Sequence, residues 1–234
     1  MKTDRRQPPG DPVGYYFREA LLIGGEATRL YLVRHAQSQG NTGDDLATGD
    51  PPLTDVGWEQ ARRLGERFAS QKVDVVYASP LARSRDTAQS IADAARLPVR
   101  IEPGLTEVSL GTPERSARLY QGQAAEELAR RIAREGTWDA FPGSEGSRAA
   151  RRRVGAVIDG IIQKNEGKRV ALVTHAGFIQ TCVSLVLGLE RDFVFYPFNA
   201  GITSIRAKGD RRVLWRLNDV AHLDGLPAGW GGIS

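Results

Sequence analysis

Cysteine is almost missing from this chain: Cys182 is its only one. No intrachain disulfide can form, which fits a reducing compartment. Cys182 lies in an apolar stretch with helical spacing and reads as a small core residue without nucleophilic duties. No apolar run is long enough to cross a bilayer. Arg5 and Arg6 stand near the N-terminus, yet Gln7, Pro8, Pro9, Gly10, Asp11 and Pro12 follow where an export signal needs a hydrophobic core. The expectation is a soluble, cytoplasmic protein with no membrane partner. Histidine is scarce as well, with three in 234 residues, and there are no internal repeats or low-complexity blocks.

A chain of this length with 41% hydrophobic residues can bury one sizeable core. The expected organisation is an N-terminal extension over 1–28, flexible at its start, a domain over 29–223 and a C-terminal tail over 224–234. Tyr15, Tyr16 and Phe17 in the extension either pack back on the domain or join two copies in a homodimer, and the sequence leaves both open. The net charge of +4, carried mainly by arginine, suits nucleic acid or a small anionic substrate. Several arginines stand beside histidines instead of forming a basic, aromatic-rich module. A small anion is therefore favoured, and no nucleic-acid partner is expected.

Two of the three histidines end segments that read alike, Leu30-Tyr31-Leu32-Val33-Arg34-His35-Ala36 and Val170-Ala171-Leu172-Val173-Thr174-His175-Ala176. Aliphatic, β-branched runs of this length read as buried strands. In an open parallel sheet, the end of such a strand is the ligand edge. After the first comes Gln37-Ser38-Gln39-Gly40-Asn41, a small polar loop whose backbone amides suit an anion. Thr54 is placed to cap a helix carrying Val56, Ala61, Leu64 and Phe68. A buried strand at 73–77, a helix at about 82–95, a short strand at 99–101 and a helix at about 147–163 follow. Another helix opens at Gly177, and strands at 202–205 and 213–217 form a terminal pair. The alternation predicts an α/β fold, a three-layer αβα sandwich with a mostly parallel central sheet. Residues 112–145 break the rhythm as a helical cap insertion, with Arg115, Arg118, Arg130, Arg131 and Arg134 beside Tyr120, Trp138 and Phe141. Its arginines either touch substrate or form a solvated face.

Leu32-Val33-Arg34-His35-Ala36, with Asn41 following, resembles the Arg-His-Gly signature of the histidine phosphatase superfamily, the phosphoglycerate-mutase-like family. Four further segments match in order. Leu53 and Thr54 with Gly57, Gln60 and Ala61 look like the family's first helix, and Ala78-Ser79-Pro80-Leu81-Ala82-Arg83 with Thr87 and Ala88 like its second motif. Leu105-Thr106-Glu107 with Gly111 is similar to the segment bearing the family's acid, and Val173-Thr174-His175-Ala176-Gly177 to that of its second histidine. The match spans about 29–223. It implies a phosphoric monoester hydrolase that acts on a small phosphorylated substrate with neither metal nor other cofactor. Phe141-Pro142-Gly143-Ser144-Glu145 is similar to a Pro-Gly-Gly-Glu-Ser segment of the family's phosphatases. That favours hydrolysis over the runner-up, a 2,3-bisphosphoglycerate-dependent mutase; an inactive phospho-ligand binding module is a third alternative. Three places depart from the pattern: Ala36 replaces a glycine, Gln37 stands where an acidic residue is common, and residues 112–115 lack the usual Trp-Glu-Gly. They bear on the substrate and leave the reaction type alone.

The residue types suit that chemistry. Attack on phosphorus needs a nucleophile that is neutral near physiological pH, and imidazole is one. His35 is the candidate. Arg34, Arg83 and a protonated His175 around it would oppose its protonation and hold the phosphoryl oxygens. The Asn41 side chain and the Ala176 amide, at the start of a helix, complete the expected phosphate site. Glu107 is the matched acid for the leaving group and the base for water, unless it merely pairs with an arginine. A strand pleat would send Arg34 and His35 to opposite faces, so the chain must leave strand geometry there. His222 is expected to be structural. The substrate wall is expected from 112–145 and 193–198.

Overall fold

The computed structural model describes residues 12–23, 26–42, 49–111 and 122–226. In chain order the elements are α1 (Pro12–Ala20), β1 (Thr28–Arg34), the single turn α2 (Gln39–Thr42), α3 (Asp55–Ala69), β2 (Val75–Ala78), α4 (Ala82–Ala95) and β3 (Val99–Ile101). Then come α5 (Gly122–Glu135), α6 (Ser147–Lys164), β4 (Arg169–Thr174), α7 (Ala176–Leu187), β5 (Ile202–Lys208) and β6 (Arg211–Asp219).

One sheet holds all six strands in the order β3-β2-β4-β1-β5-β6. The four strands β1 to β4 run parallel, while β5 pairs antiparallel with both β1 and β6. The middles of β1 (Leu30–Val33) and β4 (Val170–Val173) are apolar because helices cover both faces of the sheet. On one face, Leu64 and Phe68 of α3 and Ala88 and Ile91 of α4 pack against Val33, Val76 and Val173. On the other, Val154 and Ile158 of α6 and Phe178 and Cys182 of α7 pack against Leu30, Leu32 and Leu172. The fold is thus the three-layer α/β sandwich that the alternation predicts. Cys182 is buried as expected, and burial pushes its thiol up to about 12.

Local chemistry sets how the helices meet the ligand edge. Thr54 caps α3, its hydroxyl accepting from the Gly57 amide at 3.0 Å. Gly57 in turn faces the Gln37 carbonyl so closely that a Cβ there would sit 2.0 Å from the oxygen. Glycine thus lets α3 press against the loop that follows β1. At the other end of the chain, Arg206 donates to the Leu22 carbonyl and Arg211 to those of Glu19 and Ala20. The end of the N-terminal extension therefore packs back on the β5–β6 pair, while Tyr16 and Phe17 stay exposed.

Residues 112–121 of the insertion, with Arg115, Arg118 and Tyr120, lie outside the described residues. In α5, Arg130 pairs with Glu126 and Glu127, and Arg131 and Arg134 pair with Glu135. These three arginines are paired with glutamates of the same helix on its solvent side. No described helix is long and apolar enough to cross a membrane.

Candidate active site

The parallel register sets the C-terminal ends of β1, β4 and β2 side by side, since Arg34 pairs with Thr174 and Ala78 with Val173. The next residue of each of the first two strands is a histidine. β1 ends at Arg34, so the chain has left the strand at His35, as the placing of both side chains on one site requires. The two imidazoles lie with centroids 5.1 Å apart. Together with Arg34, Asn41, Arg83 and Glu107 they line a cavity of about 260 Å³.

His35 Nδ1 lies 2.7 Å from the Ala36 carbonyl oxygen. A carbonyl only accepts, so Nδ1 carries the hydrogen and Nε2 presents its lone pair. Arg83 Nε donates to that Nε2 at 3.3 Å. Burial above all, then His175, Arg34 and Arg83, hold the His35 pKa well below the ordinary imidazole value, against the pull of the Ala36 carbonyl. The result is a buried, neutral imidazole with a defined nucleophilic nitrogen.

Cations and donors surround it. Arg34 is buried, with Nη1 donating to the Pro197 carbonyl at 2.8 Å, its guanidinium 5.5 Å from the Tyr196 ring centre and Nε without a partner. The segment 193–198 thus acts on the site by fixing an arginine. Arg83 also reaches Asp50 at 3.3 Å, and Asp50 accepts the Ala82 amide at the start of α4. His175 Nε2 lies 2.9 Å from Ser79 Oγ and 3.4 Å from Ser84 Oγ, while its Nδ1 is buried without a partner. Burial first, then Arg83 and Arg34, lower its pKa to about 3. His175 is therefore neutral here, which corrects the expectation of a protonated second histidine: a ring sealed from water among guanidinium groups does not hold a further proton.

Glu107 follows the one-turn 3-10 helix Pro103–Leu105. Its Oε1 accepts the Val108 amide at 2.8 Å and the Phe178 amide, in the first turn of α7, at 3.2 Å. Burial raises its pKa and outweighs these amides, that of Gly177 and the charge of Arg34, all of which pull it down. A Cβ at Gly177 would lie 2.5 Å from Oε1 and 3.0 Å from Trp138 Cη2, so only glycine lets α7 approach the carboxyl this closely. Ala176 opens the same helix, placing its amide at the positive end of the dipole. Glu107 forms no ion pair with an arginine among the described residues.

The loop after β1 differs from its expected part. Four of its amides already have partners within the protein: Ala36 N donates to Thr87 Oγ1, Gln37 N to Gln60 Oε1, Ser38 N to Asn41 Oδ1 and Gln39 N to the Pro52 carbonyl. They hold the loop's shape, because buried amides must find partners and these side chains supply them. Asn41 Oδ1 also accepts from Ser38 Oγ and Asn199 Nδ2, leaving Asn41 Nδ2 as the group that can donate to a phosphate.

The profile of the histidine phosphatase superfamily (branch 1) matches residues 30–220. The chain belongs to this family. Phosphoserine phosphatase 1 of Hydrogenobacter thermophilus is 29% identical over 205 residues, which is 83% of this chain and 94% of that protein. An Enterobacter protein named "Probable phosphoglycerate mutase GpmB" is 34% identical over 163 residues, 69% of this chain and 75% of its own. Among solved structures, a histidine-to-alanine variant of phosphoserine phosphatase from Entamoeba histolytica, in complex with phosphoserine, superposes with a TM-score of 0.70 at 25% identity. That match covers 84% of this chain and 99% of the other.

In this histidine phosphatase, several supporting residues were not singled out for a role by sequence. Asn199 is fully buried and donates to the His35 carbonyl at 3.0 Å and to Asn41 at 3.1 Å. It lies in no motif, and nothing in the sequence points to it. Thr87 and Ser79 do stand in the second matched segment, and Ser84 directly follows its Arg83. Thr87 ties Ala36 to the Arg83 carbonyl, and the two serines hold His175. Glu145 of the Pro-Gly-Ser-Glu segment pairs with Arg153, which also donates to the carbonyls of Gly104, Thr106 and Glu107, so it braces the acid's loop. His222 is half-buried in the last 3-10 turn, away from the cavity, and burial lowers its pKa. Among the described residues, no three His, Cys, Asp or Glu side chains cluster so as to hold a metal ion.

Proposed function

We propose that this phosphatase hydrolyses small phosphomonoesters in two steps through a phosphohistidine on His35, with Glu107 serving both. In the first step Nε2 of His35 attacks phosphorus. The bond from phosphorus to the ester oxygen breaks, and Glu107 delivers its proton to that oxygen as the alcohol leaves. In the second, the Glu107 carboxylate takes a proton from water as the water oxygen attacks phosphorus. The N–P bond breaks, its electron pair returns to Nε2, and phosphate departs.

One observation carries this reading: His35 is buried and neutral, with Nδ1 held by a carbonyl so that Nε2 faces the cavity. Arg34 Nε and His175 Nδ1, both buried without a partner, are donors that phosphoryl oxygens would satisfy. Arg83, Asn41 Nδ2 and the Ala176 amide would supply the others, Arg83 moving its contact from Nε2 to the phosphoryl group. The raised carboxyl of Glu107 suits a group that must hold a proton before it gives one. The family relatives named for phosphoserine make O-phosphoserine the first substrate to try, and the cytoplasm is the compartment we assign. The mutase reading is kept because of the Enterobacter relative's name. It shares the first step and differs only in returning the phosphoryl group to a bound acid before water attacks.

The experiment measures phosphate release from O-phosphoserine, nitrophenyl phosphate and 3-phosphoglycerate, the last with and without 2,3-bisphosphoglycerate. His35→Ala should lose about a thousandfold or more in kcat. Undiminished hydrolysis by that variant would sink the mechanism. Formation of 2-phosphoglycerate well ahead of phosphate release would select the mutase.

A further inference from the structure

A second cavity, of about 590 Å³, lies on the α3 side of the sheet. Its floor follows from the register. Arg206 of β5 pairs with Arg29 of β1, and Ser204 pairs with both Tyr31 of β1 and Arg216 of β6, so these side chains share one face. Tyr31 touches Phe68 near the end of α3, with ring centres 5.5 Å apart. The residues after that helix, Gln71 and Lys72, form a wall. The helices stop there, and the antiparallel pair continues beyond them.

Six cations line this cavity: Arg29, Arg67, Lys72, Arg169, Arg206 and Arg216. The one carboxylate on its lining, Asp219, is taken by Arg67 at 3.3 Å and Arg216 at 3.2 Å. Among the described residues, Arg29, Lys72, Arg169 and Arg206 have no ion pair. On a merely solvated basic face, arginines extend into water. Here Arg29, Arg67, Arg169 and Arg206 are half-buried around a common space, and the Arg206 guanidinium is fixed 3.5 Å from the centre of the Trp215 ring. Burial, then the charge of Arg29, lowers the Arg206 pKa. An independent observation points the same way. Ser204 is 6% exposed and lines the cavity, yet its hydroxyl has no partner, and neither has the buried Nε of Arg67. Buried polar atoms without partners are rare and call for a ligand or a specific role.

We propose that this cavity is a second anion site, separate from the catalytic one, that takes a small molecule carrying two or more phosphoryl groups. Cations from β1, the end of α3, β4, β5 and β6 ring the space, more than one phosphate can engage, whereas two or more phosphoryl groups would use the whole ring. The two cavities share no lining residue. Arg29 lies near the start of β1 and His35 follows its end, which at ~3.3 Å per residue sets them roughly 20 Å apart. The proposal therefore stands or falls independently of the chemistry at His35.

The test is calorimetric titration of methylenediphosphonate, a bisphosphonate that cannot be hydrolysed at its bridge, into the full chain. Wild type is compared with Arg29→Gln/Lys72→Gln, neither of whose side chains holds a bond within the described fold, and with Ser204→Ala. Wild type should bind one equivalent more than the double variant, or bind that equivalent about tenfold more tightly. Ser204→Ala should weaken it severalfold, and turnover of nitrophenyl phosphate should be unchanged in both variants. Identical isotherms for wild type and both variants would overturn the proposal, as would the absence of saturable binding outside the catalytic site. Tighter binding of a single-stranded RNA than of the bisphosphonate, lost in the double variant, would replace the small ligand with a nucleic acid and overturn it as well. Should the double variant fail to fold, Ser204→Ala alone decides, because removing one buried hydroxyl leaves the backbone and charges in place.

Discussion

Burial moves the two central groups in opposite directions: it lowers the pKa of His35 and raises that of Glu107. The proposed first step needs His35 neutral and Glu107 protonated. Activity is lost as pH falls through the His35 value and as it rises through the Glu107 value, so the shifts widen the working range at both ends. The acid limb of kcat/KM is expected below the ordinary imidazole pKa and the base limb above the ordinary carboxylate pKa, read from a pH–rate profile on an alkyl phosphate. Glu107→Gln should lower kcat about 10²- to 10⁴-fold on alkyl phosphates and far less on nitrophenyl phosphate, whose leaving group needs no proton. Equal losses would remove the acid role. Gly177→Ala should give the same leaving-group signature, since its Cβ would press on Glu107 Oε1. At this scale, residues whose chemistry is distinctive could be read from the sequence: the two histidines, Arg34, Arg83 and Glu107. Those that only hold them could not. Asn199 is an ordinary loop asparagine until the fold brings it under His35, and the protonation of His175 is decided by how completely Ser79, Ser84 and the sheet enclose it.

Among the elements, the least legible part is how the segment after the acid is anchored. Asp192 is fully buried and joins three pieces of chain. It accepts from Ser147 Oγ at 2.5 Å at the start of α6, from the Trp138 amide at 3.0 Å and from Arg151 Nε at 2.9 Å. Trp138, fixed this way and by its indole donating to Thr181 at 2.8 Å, sits against Gly177 and hence beside Glu107. Removing the carboxylate takes away the ion pair of Arg151 and the acceptor of Ser147 Oγ, while the Trp138 amide keeps Ser147 Oγ and Arg151 keeps Ser184 Oγ and the Leu189 and Glu190 carbonyls. Asp192→Ala is expected to destabilise the fold by about 2–4 kcal/mol, measured by urea denaturation, with Asp192→Asn milder. Loss of stability without any loss of turnover at a temperature where the variant is folded would show that Trp138 does not help to place Glu107. Helices and strands were legible because their periodicity and caps are local: α4, β3 and the Thr54 cap stand where the pattern puts them. In α5 the spacing of Glu and Arg already allowed the solvated face. The Asp192 hub is different, since it depends on residues 45 and 54 positions away meeting in space, for which no local pattern exists.

For the whole molecule, the alternation of strands and helices was enough to imply a sheet with a ligand edge. It could not give the strand order, and the order is what sets β1 against β4 and their histidines within 5.1 Å. That closeness has a consequence for folding stability. His175 is about 3 in the fold and about 6.5 when unfolded, and His35 shifts in the same direction. Above the unfolded value neither state binds a proton at these rings, and their contribution is fully present. Between about 6.5 and about 3 the unfolded chain binds protons that the fold refuses, so stability falls as pH falls through that window. For His175 alone the loss is about 3–5 kcal/mol across the full window. Glu107 works the other way, its raised pKa favouring the fold on the acid side, and offsets part of this. Melting temperature should therefore drop between about pH 7 and pH 4, and His175→Asn, which has no proton to gain, should drop less steeply over the same range. Equal slopes for wild type and variant would mean that His175 titrates in the fold as it does in the unfolded chain, and its enclosure would not be what keeps it neutral.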